Sequence, residues 1–342
     1  MNRRIEKLLA KAPRFMLIHD PANMYYLSGF TGDNGVLVLG ENRRALITDS
    51  RYTAQGEKEC PGFEVIDYKN APMLSVAAGM TGAASCGFEA DSISLKTYRD
   101  ICAYIKNPAE THGLVEELRL IKDENEIKAI RKACLLADEA AAWLKNRIVP
   151  GIGEKELAAE LEYHMKMQGA EGEAFPGIIA AGENAAFPHH APEDRIIKEG
   201  DMVKCDFGCI KDRYCSDITR TFFIGEPSAE FAKIYGIVLE AQQRAIEAVK
   251  PGIPGKDIDS VAREFIAGAG YGDRFGHGLG HGLGLSVHDS PAFSPSSDLV
   301  LQPGIVATVE PGIYIPGRGG IRIEDDILVT ENGCEILTHA DK

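Results

Sequence analysis

Positive charge is in short supply in this chain. Its 342 residues hold 37 Lys plus Arg against 51 Asp plus Glu, a formal net charge of −14. Such a surface repels phosphate backbones and anionic headgroups, which argues against nucleic acid and membrane as partners. Long apolar runs are missing too, and none approaches the ~18 residues of a membrane span. In the basic opening MNRRIEKLLAKAPRF, the run Leu8-Leu9-Ala10 is too short for the core of a secretion signal. A cytoplasmic protein is the expectation. Cysteines are not concentrated anywhere: eight scattered along the chain read as reduced thiols, not as a disulfide scaffold. Cys205, Cys209 and Cys215 raise the idea of a thiolate metal site, but strand alternation points the first two away from Asp206. No G-x-G-x-x-G register and no Gly-Lys-Ser/Thr occurs, so nucleotide phosphates find no cradle.

What remains has the make-up of an ordinary globular protein, 44% hydrophobic and 26% charged, and is long enough for two cores. Residues 1–115 alternate short apolar runs, such as Arg14 to His19 and Val36 to Leu39, with helix-compatible stretches at Tyr52 to Glu59 and Leu95 to Ile105. That is the pattern of an α/β domain. His19 and Asp20 read as structural. Asn107 to Glu110 reads as a linker, followed by a short strand through Leu120. The second domain, 116–342, opens with a helix from Asp123, where Glu126 completes a capping box. Ile127, Ile130, Cys134, Ala137, Ala141, Leu144 and Ile148 give it an amphipathic stripe. A second helix spans about Glu154 to Met167, then comes a polar loop with Pro188-His189-His190, then a hairpin. The order recurs, with helices near Ala229 to Val249 and Lys256 to Ala267, a His/Gly-rich stretch, and a second hairpin. The repetition predicts two pseudo-symmetric halves.

Both hairpins carry paired acids. In VKCDFGCIKDRYCSDITRT, a turn at Lys211-Asp212 places Asp206 opposite Asp217. In the second, a turn centred near Gly317 places Glu310 opposite Glu324, with Arg322 on the same face as Glu324. Facing carboxylates about 5 Å apart at Cβ repel unless a proton or cation separates them. An exposed charged face is the ordinary explanation for one such pair. Two pairs at equivalent places in related halves favour a cation site. Five of the nine histidines lie between His189 and His288. Glycine at every second position of Gly276 to Gly284 rules out a helical His277/His281 pair and lets backbone pack beside a site. Four carboxylates with an imidazole suit two divalent cations, Mn²⁺ first, with Co²⁺, Fe²⁺ or Zn²⁺ as substitutes. Two such metals can share a hydroxide and polarise a carbonyl, which is hydrolytic chemistry.

These residues resemble the pita-bread metallopeptidases, the M24 family of aminopeptidase P, prolidase and methionine aminopeptidase. Asp206, Asp217 in SDITRT, His281 in GHGLG, Glu310 in TVEPGIY and Glu324 in GIRIED resemble its five metal ligands. YYLSGFTGDNG and ALITDSRYT resemble the N-terminal creatinase-like domain of the Xaa-Pro aminopeptidase and prolidase branch. The implied fold is α+β: a C-terminal pita-bread domain of two αα-ββ halves preceded by a smaller α/β domain. The resemblance also implies that Asp217 and Glu324 bridge the metals, with Asp206 completing one site and His281 with Glu310 the other. Glu310 matches the proton shuttle, while His288 and His189 match the groups holding the substrate carbonyl and the tetrahedral intermediate. His277 lies near the pocket, and Arg322 matches an arginine behind the ligands. The implied substrates are proline-containing peptides cut at Xaa-Pro, and the implied assembly is a homodimer.

One departure bears on specificity. Some prolidases carry an arginine four residues after the equivalent of His288, where it can hold a dipeptide's carboxylate; here that position is Ala292. The expectation is therefore an Xaa-Pro aminopeptidase, with an Xaa-Pro dipeptidase (prolidase) as the alternative. A metal-free binding module and a creatinase-like amidinohydrolase are remoter alternatives, because all five ligand positions are filled.

Overall fold

The computed structural model describes residues 2–342, which fall into two compact units, one through Arg119 and the other Leu120–Lys342. The first unit is built on a six-stranded mixed sheet. Its central strand, Phe15–Ile18, runs antiparallel to Val36–Gly40 and parallel to Ser85–Glu89. Apolar side chains from these strands and from helices Met73–Thr81 and Leu95–Tyr104 form one core. The segment expected to be a linker is instead the edge strand Asn107–Thr111, parallel to Ser85–Glu89. Pro108 is tolerated there because an edge strand leaves one side free of ladder donors. The strand expected to run through Leu120 is a short helix, Glu116–Arg119.

In the second unit the capping box forms as the sequence predicts. Asp123 accepts from Glu126 N, Glu126 returns a bond to Asp123 N, and the helix runs Glu124–Arg147. Its alanine-rich buried stripe packs with Leu157, Leu161 and Met165 of helix Glu154–Met167 against Val203, Cys205, Phe207 and Cys209. The equivalent helices, Ala229–Ala248 and Gly255–Gly268, pack on a second core against Val309, Ile313, Ile321 and Ile327. Each half thus lays two helices on one face of its hairpin and leaves the other face for the acids. Among the described residues, no helix is long and apolar enough to cross a membrane.

The first hairpin departs from its expected register. The tight turn is Asp212-Arg213, both at positive φ (49° and 72°), so Thr219, not Asp217, lies opposite Asp206. The shift is two residues. Because side chains alternate with a period of two, Asp206 and Asp217 stay on one face as diagonal neighbours. The second hairpin keeps its expected register, with Gly312 opposite Arg322 and Val309 opposite Asp325, which places Glu310 across from Glu324. All four acids lie at or beside interruptions of regular pairing. Strand Met202–Phe207 ends just after Asp206, and Ile218–Phe223 starts just after Asp217. Glu310 and Glu324 sit in the gaps between Val306–Val309 and Gly312–Ile315, and between Gly319–Arg322 and Asp325–Val329. The loop before the first hairpin also contains a short buried strand, Ile178–Ala181, which the sequence reading took as polar loop.

Candidate metal centre and active site

The predicted acids converge. Asp206, Asp217, His277, His281, His288, His189, Glu310, Arg322 and Glu324 all line one cavity of about 440 Å³. That size suits a small ligand, in the ~300–1,000 Å³ range of such sites. Ligand atoms of Asp217, His281 and Glu324 lie within 4.8 Å of one another. His281 Nε2 is 3.3 Å from Glu310 Oε1 and 3.6 Å from Asp217 Oδ2.

Hydrogen bonding shows what the cluster lacks. His281 Nδ1 lies 3.1 Å from the Gly282 carbonyl, which can only accept, so Nδ1 carries the proton. Nε2 then turns a lone pair towards carboxylate oxygens, an arrangement that needs a cation between them. Asp206 Oδ1 and Asp217 Oδ1 are buried without a hydrogen-bond partner. Burial, then the neighbouring carboxylates, push Asp217 and Glu324 well above the usual acid range. Burial pushes Glu310 up to about 7. Unpartnered oxygens, a presented imidazole nitrogen and crowded acids all fit divalent metal. Every cysteine is free. Cys205 and Cys209 are buried in the helix-facing core, which disposes of a thiolate site there.

A shell of donors orients the acids. Arg322 Nη2 donates to Asp206, on the other hairpin, and its Nε donates to Thr219 Oγ1 at 3.0 Å. Thr219 Oγ1 donates to Glu324 at 2.5 Å, and Thr308 Oγ1 donates to Glu310 at 3.1 Å. The backbone N–H of Asp217 is held by Asp326 Oδ2 at 3.0 Å. Thr219, Thr308 and Asp326 were missed in the sequence. Only their period-two spacing from ligands on the strands could have flagged them. His281 sits between Gly280 and Gly282, where a Cβ would lie 2.1 Å from the Thr308 carbonyl and 2.0 Å from that of Ser290. Close backbone approach accounts for Gly278, Gly280 and Gly282, while a Cβ at Gly276 would meet nothing.

The histidines divide into two kinds. His277 is tied down: Nδ1 donates to the Gly278 carbonyl (2.7 Å), and Nε2 accepts from Tyr314 OH (2.8 Å), which itself accepts from Arg322. Burial, then Arg322, lowers it to about 4, so it is neutral at neutral pH. His189 and His288 are exposed on the cavity wall, His288 with its ring centroid 4.4 Å from that of His281. His190, missed in the sequence, lies buried behind His189, with Nε2 2.9 Å from the carboxylate of Glu154. Ala292 is exposed opposite His281 on the neighbouring strand and brings no charge to the site.

Residues 128–331 match Metallopeptidase family M24, and residues 2–121 match the Creatinase/Prolidase N-terminal domain. An Xaa-Pro dipeptidase of Pyrococcus furiosus is 41% identical, over 100% of this chain and 99% of the relative. The solved Xaa-Pro dipeptidase from Bacillus anthracis superposes with a TM-score of 0.97 at 40% identity, covering 100% of this chain and 98% of that one. The X-Pro aminopeptidase from Thermotoga maritima MSB8 superposes with a TM-score of 0.91 at 42% identity, covering 99% and 98%.

Proposed function

We propose, given that this chain belongs to metallopeptidase family M24, that it is a metal-dependent Xaa-Pro dipeptidase, cleaving the bond between an N-terminal residue and a carboxy-terminal proline. The observation that carries this reading is full-length similarity, at about two residues in five, to proteins named Xaa-Pro dipeptidase. It reverses the preference drawn from Ala292.

In this reading Asp206, Asp217, His281, Glu310 and Glu324 would hold two divalent cations. Oxygen-rich donors favour Mn²⁺. The cations would supply Lewis acidity at the scissile carbonyl and a water acidic enough to ionise near neutral pH. The protein's part is positioning. Arg322, Thr219 and Thr308 lock the acids in place. Glu310 takes a proton from the attacking water and passes it to the departing proline nitrogen. His189 and His288 donate to the carbonyl oxygen as negative charge develops there. Proline brings no N–H, so the apolar wall of Phe175, Pro176 and Pro188 leaves no donor unpaired.

The test is kcat/KM for Ala-Pro against Ala-Pro-Ala with Mn²⁺ in excess. The dipeptide is expected to win by about tenfold or more, the scale of a hydrogen bond to its charged carboxylate. A faster tripeptide would establish the second reading, an Xaa-Pro aminopeptidase. That reading is favoured by the uncharged Ala292 beside His281. A homodimer in the cytoplasm belongs to the same proposal, and sedimentation and cell fractionation test it.

A further inference from the structure

Lys204 does not line the cavity, yet it is fully buried two residues before Asp206 on the same strand. Its Nζ donates to three carbonyls of one segment: Phe187 at 2.6 Å, Pro188 at 3.3 Å and Ala185 at 3.4 Å. Burial, then the neighbouring Arg322 charge, lowers Lys204 to about 6, and the three accepting carbonyls use all three protons of its ammonium form. Burying an amine is expensive unless its donors are met, and an apolar residue would fill the same space without that cost. The segment it gathers leads into His189.

The neighbours of His189 are tied from several sides. The Pro188 carbonyl, in the peptide joining it to His189, accepts from Lys204 and also from Arg322 Nη1 at 3.2 Å. Arg322 in turn holds Asp206. On the far side, the buried carboxylate of Glu154 accepts from Ala181 N (2.7 Å), His190 Nε2 (2.9 Å) and Glu193 N (2.9 Å). His189 itself, exposed between these anchors, makes no hydrogen bond to the described residues. With no bonds of its own, the imidazole takes its origin and Cα–Cβ direction from the backbone that these anchors hold.

We propose that Lys204 is a positioning residue for His189: by holding the carbonyls of Ala185, Phe187 and Pro188 it sets the imidazole's place relative to Asp206 and the metal ligands. The inference rests on the reading of His189 as a group that binds the substrate carbonyl. Lys204 touches no substrate and acts only through the loop.

The test is a double-mutant cycle on Mn²⁺-reconstituted enzyme with Ala-Pro and Ala-Pro-Ala, using whichever substrate the wild type prefers. Lys204→Met keeps the stem and removes the donors. It should lower kcat by about tenfold to a hundredfold, the scale of a displaced positioning group. KM and metal content should stay within about twofold of wild type, as for a loss confined to the transition state. Lys204→Gln, which keeps two donors, should recover part of the loss and serves also where Lys204→Met folds poorly. In the His189→Ala background, Lys204→Met should change kcat less than about twofold, since interacting residues fail to add. Equal losses in both backgrounds, or loss of metal in Lys204→Met, would overturn the proposal. If His189→Ala turns over like wild type, the role given to His189 is wrong and the inference falls with it. That outcome is visible before any lysine variant is made.

Discussion

Each unit of this protein buries acid, and the two handle it differently. In the first, Glu89 accepts from His19 N at 2.6 Å, Asp20 N at 2.9 Å and Asn23 Nδ2 at 2.7 Å, so both its oxygens are satisfied by protein donors. In the second, Asp206 and Asp217 each keep a buried oxygen with no partner, while His281 turns a bare nitrogen towards Asp217 and Glu310. Burial raises acids in both places, Glu89 to about 7 and Glu310 to about 7. Raised pKa values therefore do not distinguish a metal site from a structural carboxylate here. Unfilled acceptors on residues that line the cavity do; Asp326 Oδ1 is also without a partner, but Asp326 does not line it. Glu89 is already complete, whereas the cavity acids are arranged for cations that the protein does not itself supply.

The sharpest way to break this contrast is Asp217→Ala. It should abolish turnover and bring metal content well below the two equivalents expected of the parent protein, measured by elemental analysis. Two equivalents retained would mean the acids are not the ligands. His288→Ala should keep both metals while kcat falls on the order of 10²-fold or more, as for loss of a donor to the developing oxyanion. Metal loss in that variant would move His288 into the ligand set.

Next in size is stability. Adding Mn²⁺ to chelator-treated protein should stabilise the second unit by roughly 2.7 kcal/mol per bound cation when free metal exceeds Kd about a hundredfold. Hydrogen exchange should locate that protection in the second unit's two hairpins and leave the Glu89 neighbourhood unchanged. Protection appearing equally around Glu89 would erase the distinction between the two kinds of buried acid.

Glu89→Gln probes the other side. An amide there can accept through one atom only and turns its NH₂ towards a donor. The loss should be about 1–3 kcal/mol in denaturant unfolding, with metal content unchanged.

The smallest effect is in pH. Glu89, raised from 4.5 to about 7 in the folded state, contributes stability that is present below 4.5 and lost as pH rises through 7. Half-buried His19, lowered by desolvation from 6.5 to about 4, contributes stability that is present above 6.5 and lost as pH falls towards 4. The two slopes oppose one another between pH 4.5 and 6.5, so the first unit should be nearly flat there. Glu89→Gln should expose the His19 slope, with stability falling as pH drops through that window. A variant as flat as the parent would show that His19 does not titrate as its burial implies.

What was legible in the sequence was whatever depends on short-range periodicity. The helix from Glu124 announced itself through its capping box and stripe, and helix Glu154–Met167 through its spacing. The common face of Asp206 and Asp217 survived a register error of two residues, because parity along a strand does not depend on where the turn falls. The turn itself was misplaced because Asp212 and Arg213 take positive φ without glycine, which no residue type there advertises. Pro108 looked like punctuation, and only a sheet with that strand at its edge could accommodate it.

The sequence by itself determined which side chains could form a metal centre, since carboxylates and imidazoles on strand faces have few other uses when buried in such numbers. Only the tertiary structure decided how they are held. Arg322 reaches across to Asp206, Thr219 bonds Glu324, Asp326 takes the Asp217 amide, and Lys204 gathers the carbonyls ahead of His189. The first three of these bonds join residues more than a hundred positions apart, and the Lys204 bond crosses between two separate elements. Such contacts exist only because two hairpins, each bent where its acids sit, pack face to face, and no local pattern in a chain encodes the distance between its own distant parts.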